Sequence, residues 1–227
     1  MRGQGRDDTG SWTEDPYTEA LGLGCGPLYL RAHGGWSLTL DVERWCAVAD
    51  AADLTVLDRC QGTVLDIGCG PGRLVAALGE YGHTSLGIDV NAAAVSRTVL
   101  RGGRALRRSV FDPLPAPGTW DTALLIDGNL GIGGDPALLL RRVARLVRPG
   151  GLLLVEVAGE DVDERLQVWM ENARGTRGTP FPWARLGTPA LHRVARVTGW
   201  SPEDTWSKDT RDFTALRRDR FPRPAPG

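Results

Sequence analysis

A chain of 227 residues with 41% apolar and 24% charged side chains is long enough for one α/β core carrying an insertion, and short for two full domains. A formal net charge of −1 argues against nucleic acid as a partner, and no apolar run approaches the ~20 residues of a membrane span, so no membrane partner is expected either. Four cysteines without a C-x-x-C pair and three scattered histidines give no zinc spacing, which predicts reduced, structural thiols.

Met1 to Asp15 is polar and glycine-rich without an apolar core, so a disordered tail over 1–15, no secretory signal and a cytoplasmic location are expected. Residues 16–60 form the next unit. Its first part mixes Tyr17, Tyr29, His33, Trp36 and Trp45 with glycines. From Glu43 to Cys60, apolar residues at 45, 48, 49, 52, 54, 56 and 57 make a helical stripe that breaks at Asp53. The segment reads as helices that cover a sheet edge or roof a ligand crevice.

The core, 61–220, opens on Val64-Leu65-Asp66-Ile67-Gly68-Cys69-Gly70-Pro71-Gly72-Arg73-Leu74: a buried strand, a glycine turn and a helix start. Glycines there can take positive φ and admit a ligand close to the backbone, while the helix that follows points free N–H groups at it. The spacing differs from the dinucleotide fingerprint G-x-G-x-x-G, because the glycines fall at 68, 70 and 72 with an acid two residues before the first. This D-x-G-x-G-x-G pattern resembles motif I of the class I S-adenosylmethionine-dependent methyltransferases.

Arg73 to Glu80 is predicted as a helix stopped near Gly79 or Gly82, and Thr84 to Asp89 as the second strand. Asp89 lies 23 residues beyond Asp66, where an acid at a strand end can bind both ribose hydroxyls of a nucleotide; capping of the next helix is the plainer alternative. Asn91 to Leu100 reads as a helix packing Ala92, Ala93, Val95, Val99 and Leu100, with the arginines beyond it solvated. A third strand, Ala105 to Phe111, ends in Phe111-Asp112-Pro113-Leu114-Pro115. The family resemblance implies that Asp112 reaches the adenine amino group, although the motif is shortened here.

Trp120 to Asp127 is a fourth, fully buried strand ending in the glycine-rich run 128–134, on the same sheet edge as the first turn. Asp127 and Asn129 are thereby expected beside the sulfonium or its acceptor. Pro136 to Val147 is a helix with Leu138, Leu139, Leu140, Val143, Leu146 and Val147 inward and its arginines outward. Arg148-Pro149-Gly150-Gly151 stops it before the strand Leu152 to Val157, a succession that again resembles the family. The insertion 159–189 offers a possible helix at Val162 to Asn172 and candidate acceptor contacts in Trp169, Phe181, Trp183 and Arg185. Thr188 to Trp200 is a last helix with Leu191, Val194, Ala195 and Val197 inward. Strands around 205 and 213–216 close the sheet, and 221–227 is a tail.

The expected fold is therefore α/β: a doubly wound, mainly parallel seven-stranded sheet with helices on both faces and an antiparallel last strand. The resemblance implies S-adenosylmethionine as cofactor and transfer of its methyl group to an O, N or C nucleophile of a small molecule, secondary metabolites included, by in-line displacement. Expected cofactor contacts are Asp66, Gly68, Cys69, Gly70, Gly72, Asp89, Val90, Phe111, Asp112, Asp127 and Gly128. His33, Asp127 and Asn129 are the catalytic candidates, with Tyr29 and Glu156 as further bases. Asp127-Gly128-Asn129-Leu130 lacks the Pro-Pro-aromatic run of base-modifying enzymes, and Glu156-Val157-Ala158-Gly159 lacks the Asp-Asn pair of magnesium-dependent ones, so no metal is expected. A monomer or homodimer is expected. A non-catalytic cofactor-binding scaffold is the alternative from a different class, and a nicotinamide-dependent dehydrogenase is disfavoured by the glycine spacing.

Overall fold

The computed structural model describes residues 16–220; the expected tails at 1–15 and 221–227 lie outside the described residues. The chain opens with α1 (Pro16–Leu23), the strands β1 (Leu28–Ala32) and β2 (Ser37–Leu40), and the helices α2 (Val42–Cys46) and α3 (Ala51–Leu57). Five mutually parallel strands follow: β3 (Val64–Ile67), β4 (Ser85–Asp89), β5 (Ala105–Arg107), β6 (Trp120–Leu125) and β7 (Val147–Val157). They are linked through α4 (Arg73–Glu80), α5 (Ala92–Leu100) and α6 (Pro136–Leu146). Strands β8 (Asp163–Asn172) and β9 (Phe181–Leu186), helix α7 (Thr188–Arg196), and strands β10 (Trp200–Lys208) and β11 (Arg211–Arg218) complete it.

The seven-stranded sheet runs β10-β11-β7-β6-β3-β4-β5, and β11 is antiparallel to both of its neighbours. All four residues of β3 are buried, as expected for a central parallel strand covered on both faces. Alternation then sorts the side chains. Leu65 and Ile67 join Leu139, Leu140 and Val143 of α6 and Leu191 of α7 on one face, while Val64 packs with Val56, Leu57, Leu74 and Leu78 of α3 and α4 on the other. Strand order reverses beside β3, so the carboxyl ends of β3, β4 and β6 open a crevice there.

The second sheet differs from expectation. Residues 16–60 and 159–189, read as helical cover and irregular insertion, together form a four-stranded antiparallel sheet in the order β2-β1-β8-β9. Val162 to Asn172, offered as a helix, is strand β8, and it pairs with β1 from Leu28↔Asn172 to Ala32↔Val168. The run Val168-Trp169-Met170 has the β-branched and aromatic character of a strand, but its partner lies so far away in sequence that local periodicity could not identify the pairing. Leu28, Leu30, Val168, Met170 and Phe181 bury one face of this sheet against Tyr17, Leu21 and Ala94.

Smaller differences concern helix faces. Ala94 and Thr98 are the buried positions of α5, whereas Val99 and Leu100 are exposed. Leu138 and Val197, expected inward, are also exposed. Arg142, expected in solvent, donates from Nε to the Val110 carbonyl (2.8 Å) and from Nη2 to the Asp112 carbonyl (2.6 Å), pinning the loop after β5.

Candidate functional site

A cavity of about 1400 Å³, including its open mouth, lies over the carboxyl ends of β3, β4 and β6. Asp66 to Arg73 line it except Gly72, together with Asp89, Val90, Phe111, Asp127 and Asn129. Gly68, Gly70 and Gly72 all have positive φ, but for different reasons. A Cβ on Gly68 would stand 2.6 Å from Asn129 Nδ2, and one on Gly72 2.6 Å from Thr98 Oγ1. These two glycines thus make room for protein side chains. At Gly70 the nearest atom is the Tyr17 hydroxyl at 3.5 Å, on another cavity residue, so close ligand approach belongs to Gly70.

Two buried carboxylates bracket the turn. Asp89 accepts the Gly70 N–H on Oδ2 (3.0 Å) and the Asn91 N–H on Oδ1 (2.8 Å). The cap of α5 is Asn91 itself, whose Oδ1 accepts from Ala93 and Ala94, so the capping alternative does not describe Asp89. Asp66 is 2% exposed, and its Oδ2 has no hydrogen-bond partner among the described residues. Burial, reinforced by the charge of Asp127, pushes the Asp66 carboxyl up to about 7; burial pushes Asp89 up to about 6 against its backbone hydrogen bonds. Burial likewise raises the Cys69 thiol well above its ordinary range, which keeps this cavity-lining cysteine from acting as a nucleophile.

Beside the cavity lies an ion network. Asp53, fully buried, binds Arg73 and accepts from Arg211 Nη1 (2.8 Å); Arg73 Nη2 reaches Asp127 (2.6 Å), and Arg211 Nη2 reaches Glu156 (2.8 Å) and Asp127 (3.3 Å). Arg44 of α2 adds a third guanidinium to Asp127 at 2.8 Å. Glu156 also accepts the Asp127 backbone N–H at 2.7 Å, which helps hold Asp127 at its φ of 57°. Asp127, expected as a catalytic and cofactor-binding residue, lines the cavity with its carboxylate committed to three arginines. Asn129, also expected to be catalytic, donates from Nδ2 to the carbonyls of Ile67 (3.0 Å) and Gly68 (2.9 Å) and locks the glycine turn.

A second, half-open pocket of about 900 Å³ including the solvent at its mouth adjoins the first, sharing Leu30, Leu40, Trp45, Asp127 and Trp183 as a common wall. It lies under the small sheet and adds Arg44, Glu156 and Arg185 to its lining. Of the insertion residues singled out from sequence, Phe181 and Trp183 line the first cavity and Arg185 the second. Trp169 lines neither; it meets the His33 ring edge-on at 5.2 Å.

Several expected site residues are not brought together. His33 is exposed in the turn after β1 and lines neither chamber, and Tyr29 lies under Arg31 outside both. Asp112 accepts the Ser109 N–H at 2.9 Å and closes a turn, leaving Arg108 to Phe111 to face the cavity. Gly72 is turned toward Thr98, and Gly128 lines only the second chamber. Sequence reasoning missed Asp53, Arg73, Arg211 and Arg44. A signal existed for the first: an aspartate inside an apolar helical stripe demands a buried cation, and Arg73 is the first residue after the turn.

A family model for the methyltransferase domain matches residues 43–200. The chain is 37% identical over 113 residues to the release factor glutamine methyltransferase of Rhodospirillum rubrum, a match covering 48% of this chain and 33% of that protein. It is 32% identical over 126 residues to the ubiquinone biosynthesis O-methyltransferase of Sodalis glossinidius, covering 51% of this chain and 49% of the relative. The chain thus spans half or less of the length of these curated relatives. Among solved structures, an S-adenosylmethionine-dependent methyltransferase from Bacteroides fragilis in complex with S-adenosylhomocysteine superposes with a TM-score of 0.75 at 22% identity, covering 89% of this chain and 92% of that one. The 1,6-didemethyltoxoflavin-N1-methyltransferase of Burkholderia thailandensis superposes at 0.56 with 20% identity, covering 74% and 76%. At these identities the two structures establish a shared fold.

Proposed function

Because the chain belongs to the methyltransferase domain family, in its class I S-adenosylmethionine-dependent branch, we propose that it moves a methyl group from S-adenosylmethionine to an O, N or C nucleophile of a small molecule. The observation that carries this reading is the pair of buried acids, Asp66 and Asp89, that line the cavity on either side of the Gly70 turn. A cationic group of the ligand near Asp66 would favour the ionised form that burial disfavours. Asp89 keeps lone pairs for two hydroxyls of a ribose while its backbone bonds hold it in place. Arg108 to Phe111 and Val90 line the wall next to Asp89, the side on which a nucleoside base belongs. The Bacteroides and Burkholderia neighbours hold S-adenosylhomocysteine, which supports the same cofactor here.

The cofactor supplies an electrophilic methyl group on a sulfonium. The chain's part is to bind, align and dehydrate: Tyr17, Leu30, Leu40, Trp45 and Trp183 roof the cavity with largely apolar surface and exclude water from a displacement in which reactants must meet at roughly 3 Å. In this reading the cover built from 16–60 and 159–189 is the lid and the acceptor-selecting unit, and the protein works in the cytoplasm as a monomer or homodimer. Amine and already ionised acceptors suit the site best, because the carboxylates of Asp127 and Glu156 are held by guanidiniums. That same engagement favours the non-catalytic scaffold as the second reading.

Calorimetric titration with S-adenosylhomocysteine and with NAD, using Asp89→Ala as control, tests the proposal. Binding of the sulfur compound with a loss of tenfold or more in the variant is expected. Binding of NAD alone overturns it. Labelled methyl transfer to a panel of small amines, phenols and acids then separates enzyme from scaffold, since a blank panel despite cofactor binding selects the scaffold.

A further inference from the structure

The glycine-rich run after β6, whose sequence places it beside a ligand, serves strand β9 at three of its glycines. A Cβ on Gly131 would stand 2.6 Å from Nε1 of Trp183 and 2.5 Å from the Ala184 carbonyl oxygen, and one on Gly134 would stand 2.7 Å from Cβ of Pro182. One on Gly128 would meet Cζ2 of Trp183 at 3.8 Å. Bare backbone at every third residue thus forms a seat for Pro182-Trp183-Ala184. Gly131 has no left-handed φ, so the seat requires glycine there for space and not for backbone conformation. Gly131 itself is buried and lines neither the cofactor cavity nor the second pocket, whereas Trp183 is half-buried and lines both. The Phe181 ring meets Trp183 edge-on at 6.0 Å, and Trp45, the other large ring of the shared wall, leans on Tyr17 of the cover at 6.1 Å. The Trp183 indole is therefore held from the floor by Gly131 and from its own strand by Phe181, as a wide rigid plate where the two spaces meet.

We propose that Trp183 is a specificity-determining residue for the methyl acceptor: its indole, seated on Gly131, partitions the cofactor cavity from the second pocket and sets how large a flat apolar acceptor can lie across the junction. The acceptor class is a planar aromatic ring with its nucleophile at one edge. Leu30, Leu40, Trp45 and Trp183 give the junction apolar surface, and the charged side chain common to both linings, Asp127, is already engaged by arginines. A single ring fits on the cofactor side of the plate, and a fused ring has to displace it. Gly131 acts through Trp183 and is a positioning residue. The proposal rests on the methyltransferase reading for the ligand that lies on the cavity floor, but the partition is defined by its own residues.

The probes are catechol and 2,3-dihydroxynaphthalene, the same diol on one ring and on two, titrated calorimetrically into the full chain with and without S-adenosylhomocysteine. Trp183→Ala is expected to shift the affinity ratio about tenfold toward the two-ring probe, the scale on which an apolar pocket separates ligands by a carbon or two, and Trp183→Phe to shift it less in the same direction. Gly131→Ala, which touches neither lining, should push the indole into the junction and shift the ratio the opposite way. A merely structural Trp183 predicts lower Tm in all three variants with the ratio unmoved. Circular dichroism and thermal unfolding check each variant, and Trp183→Phe, which keeps a ring, carries the test where Trp183→Ala or Gly131→Ala does not fold. An unchanged ratio in the folded variants, or binding of neither probe to any folded protein up to millimolar concentration, overturns the partition. Binding of S-adenosylhomocysteine to the wild type is read in the same series, so failure of the cofactor reading shows separately from failure of the partition.

Discussion

The two walls of the crevice are built on opposite physical plans. The floor, from Asp66 to Arg73 with Asp89 and Asp127, sits on parallel strands buried on both faces and is fixed by backbone and ionic constraints at nearly every residue. The cover, from α1 through α2 with β8 and β9, is a two-sided antiparallel sheet whose cavity side is apolar and aromatic and whose outer side carries ordinary surface pairs such as Arg31 with Glu171. The floor positions groups by over-determination: Asn129 locks the turn, Asp89 ties Gly70, and five charged side chains hold one another beside it. The cover positions by packing, which allows its side chains to be exchanged without moving the backbone. A rigid floor under an adaptable cover suits a site that holds one invariant ligand and selects a second.

Breaking the floor should therefore cost far more than altering the cover. Asp53→Ala would take from Arg73 and Arg211 their one fully buried carboxylate partner, leaving Asp127 and Glu156 to hold both guanidiniums, and is expected to destabilise by roughly 3 kcal/mol in chemical denaturation. Next comes the comparison of two glycines. Gly68→Ala, strained at φ 74° and clashing with Asn129, should cost about 1–3 kcal/mol, with part recovered in the double variant Gly68→Ala/Asn129→Ala. Gly70→Ala, strained at φ 53° but with only an ordinary contact to the Tyr17 hydroxyl at 3.5 Å from its Cβ, should cost less stability and instead weaken S-adenosylhomocysteine binding in calorimetry.

The buried acids give a pH test of the same floor. Asp66 and Asp89 hold their protons more tightly in the folded chain than in the unfolded one, so their contribution to stability is fully present below the ordinary aspartate range and is lost as pH rises through about 6 and about 7. Asp66→Asn should accordingly show a smaller fall in Tm between pH 5 and pH 8 than the wild type. Cofactor affinity should move the other way, tightening from pH 5.5 to 7.5 as Asp89 ionises. The smallest effect is expected in the cover's outer turn. His33→Ala, exposed and away from both chambers, should change stability by no more than about 0.5 kcal/mol and leave methyl transfer within about twofold.

Residue order alone carried the parallel core, because its signals are local: a buried strand before Gly68, an acid at the end of the next strand, an apolar helix before Arg148-Pro149-Gly150-Gly151. Strand β3, helix α6 and the antiparallel close of the sheet follow from patterns within a dozen residues of one another. Asp66, Gly68, Cys69, Gly70, Asp89, Val90 and Phe111 were identifiable as cavity residues for the same reason. Tertiary structure decided what no local pattern holds. It paired Leu28 with Asn172 to make the cover, turned Gly72 and Asp112 to internal tasks, and gathered Arg44, Asp53, Arg73, Asp127, Glu156 and Arg211 from six separate segments. Whether a carboxylate is a base, a ligand or half of an ion pair depends on which cation stands within hydrogen-bond reach, and that distance is set by the fold.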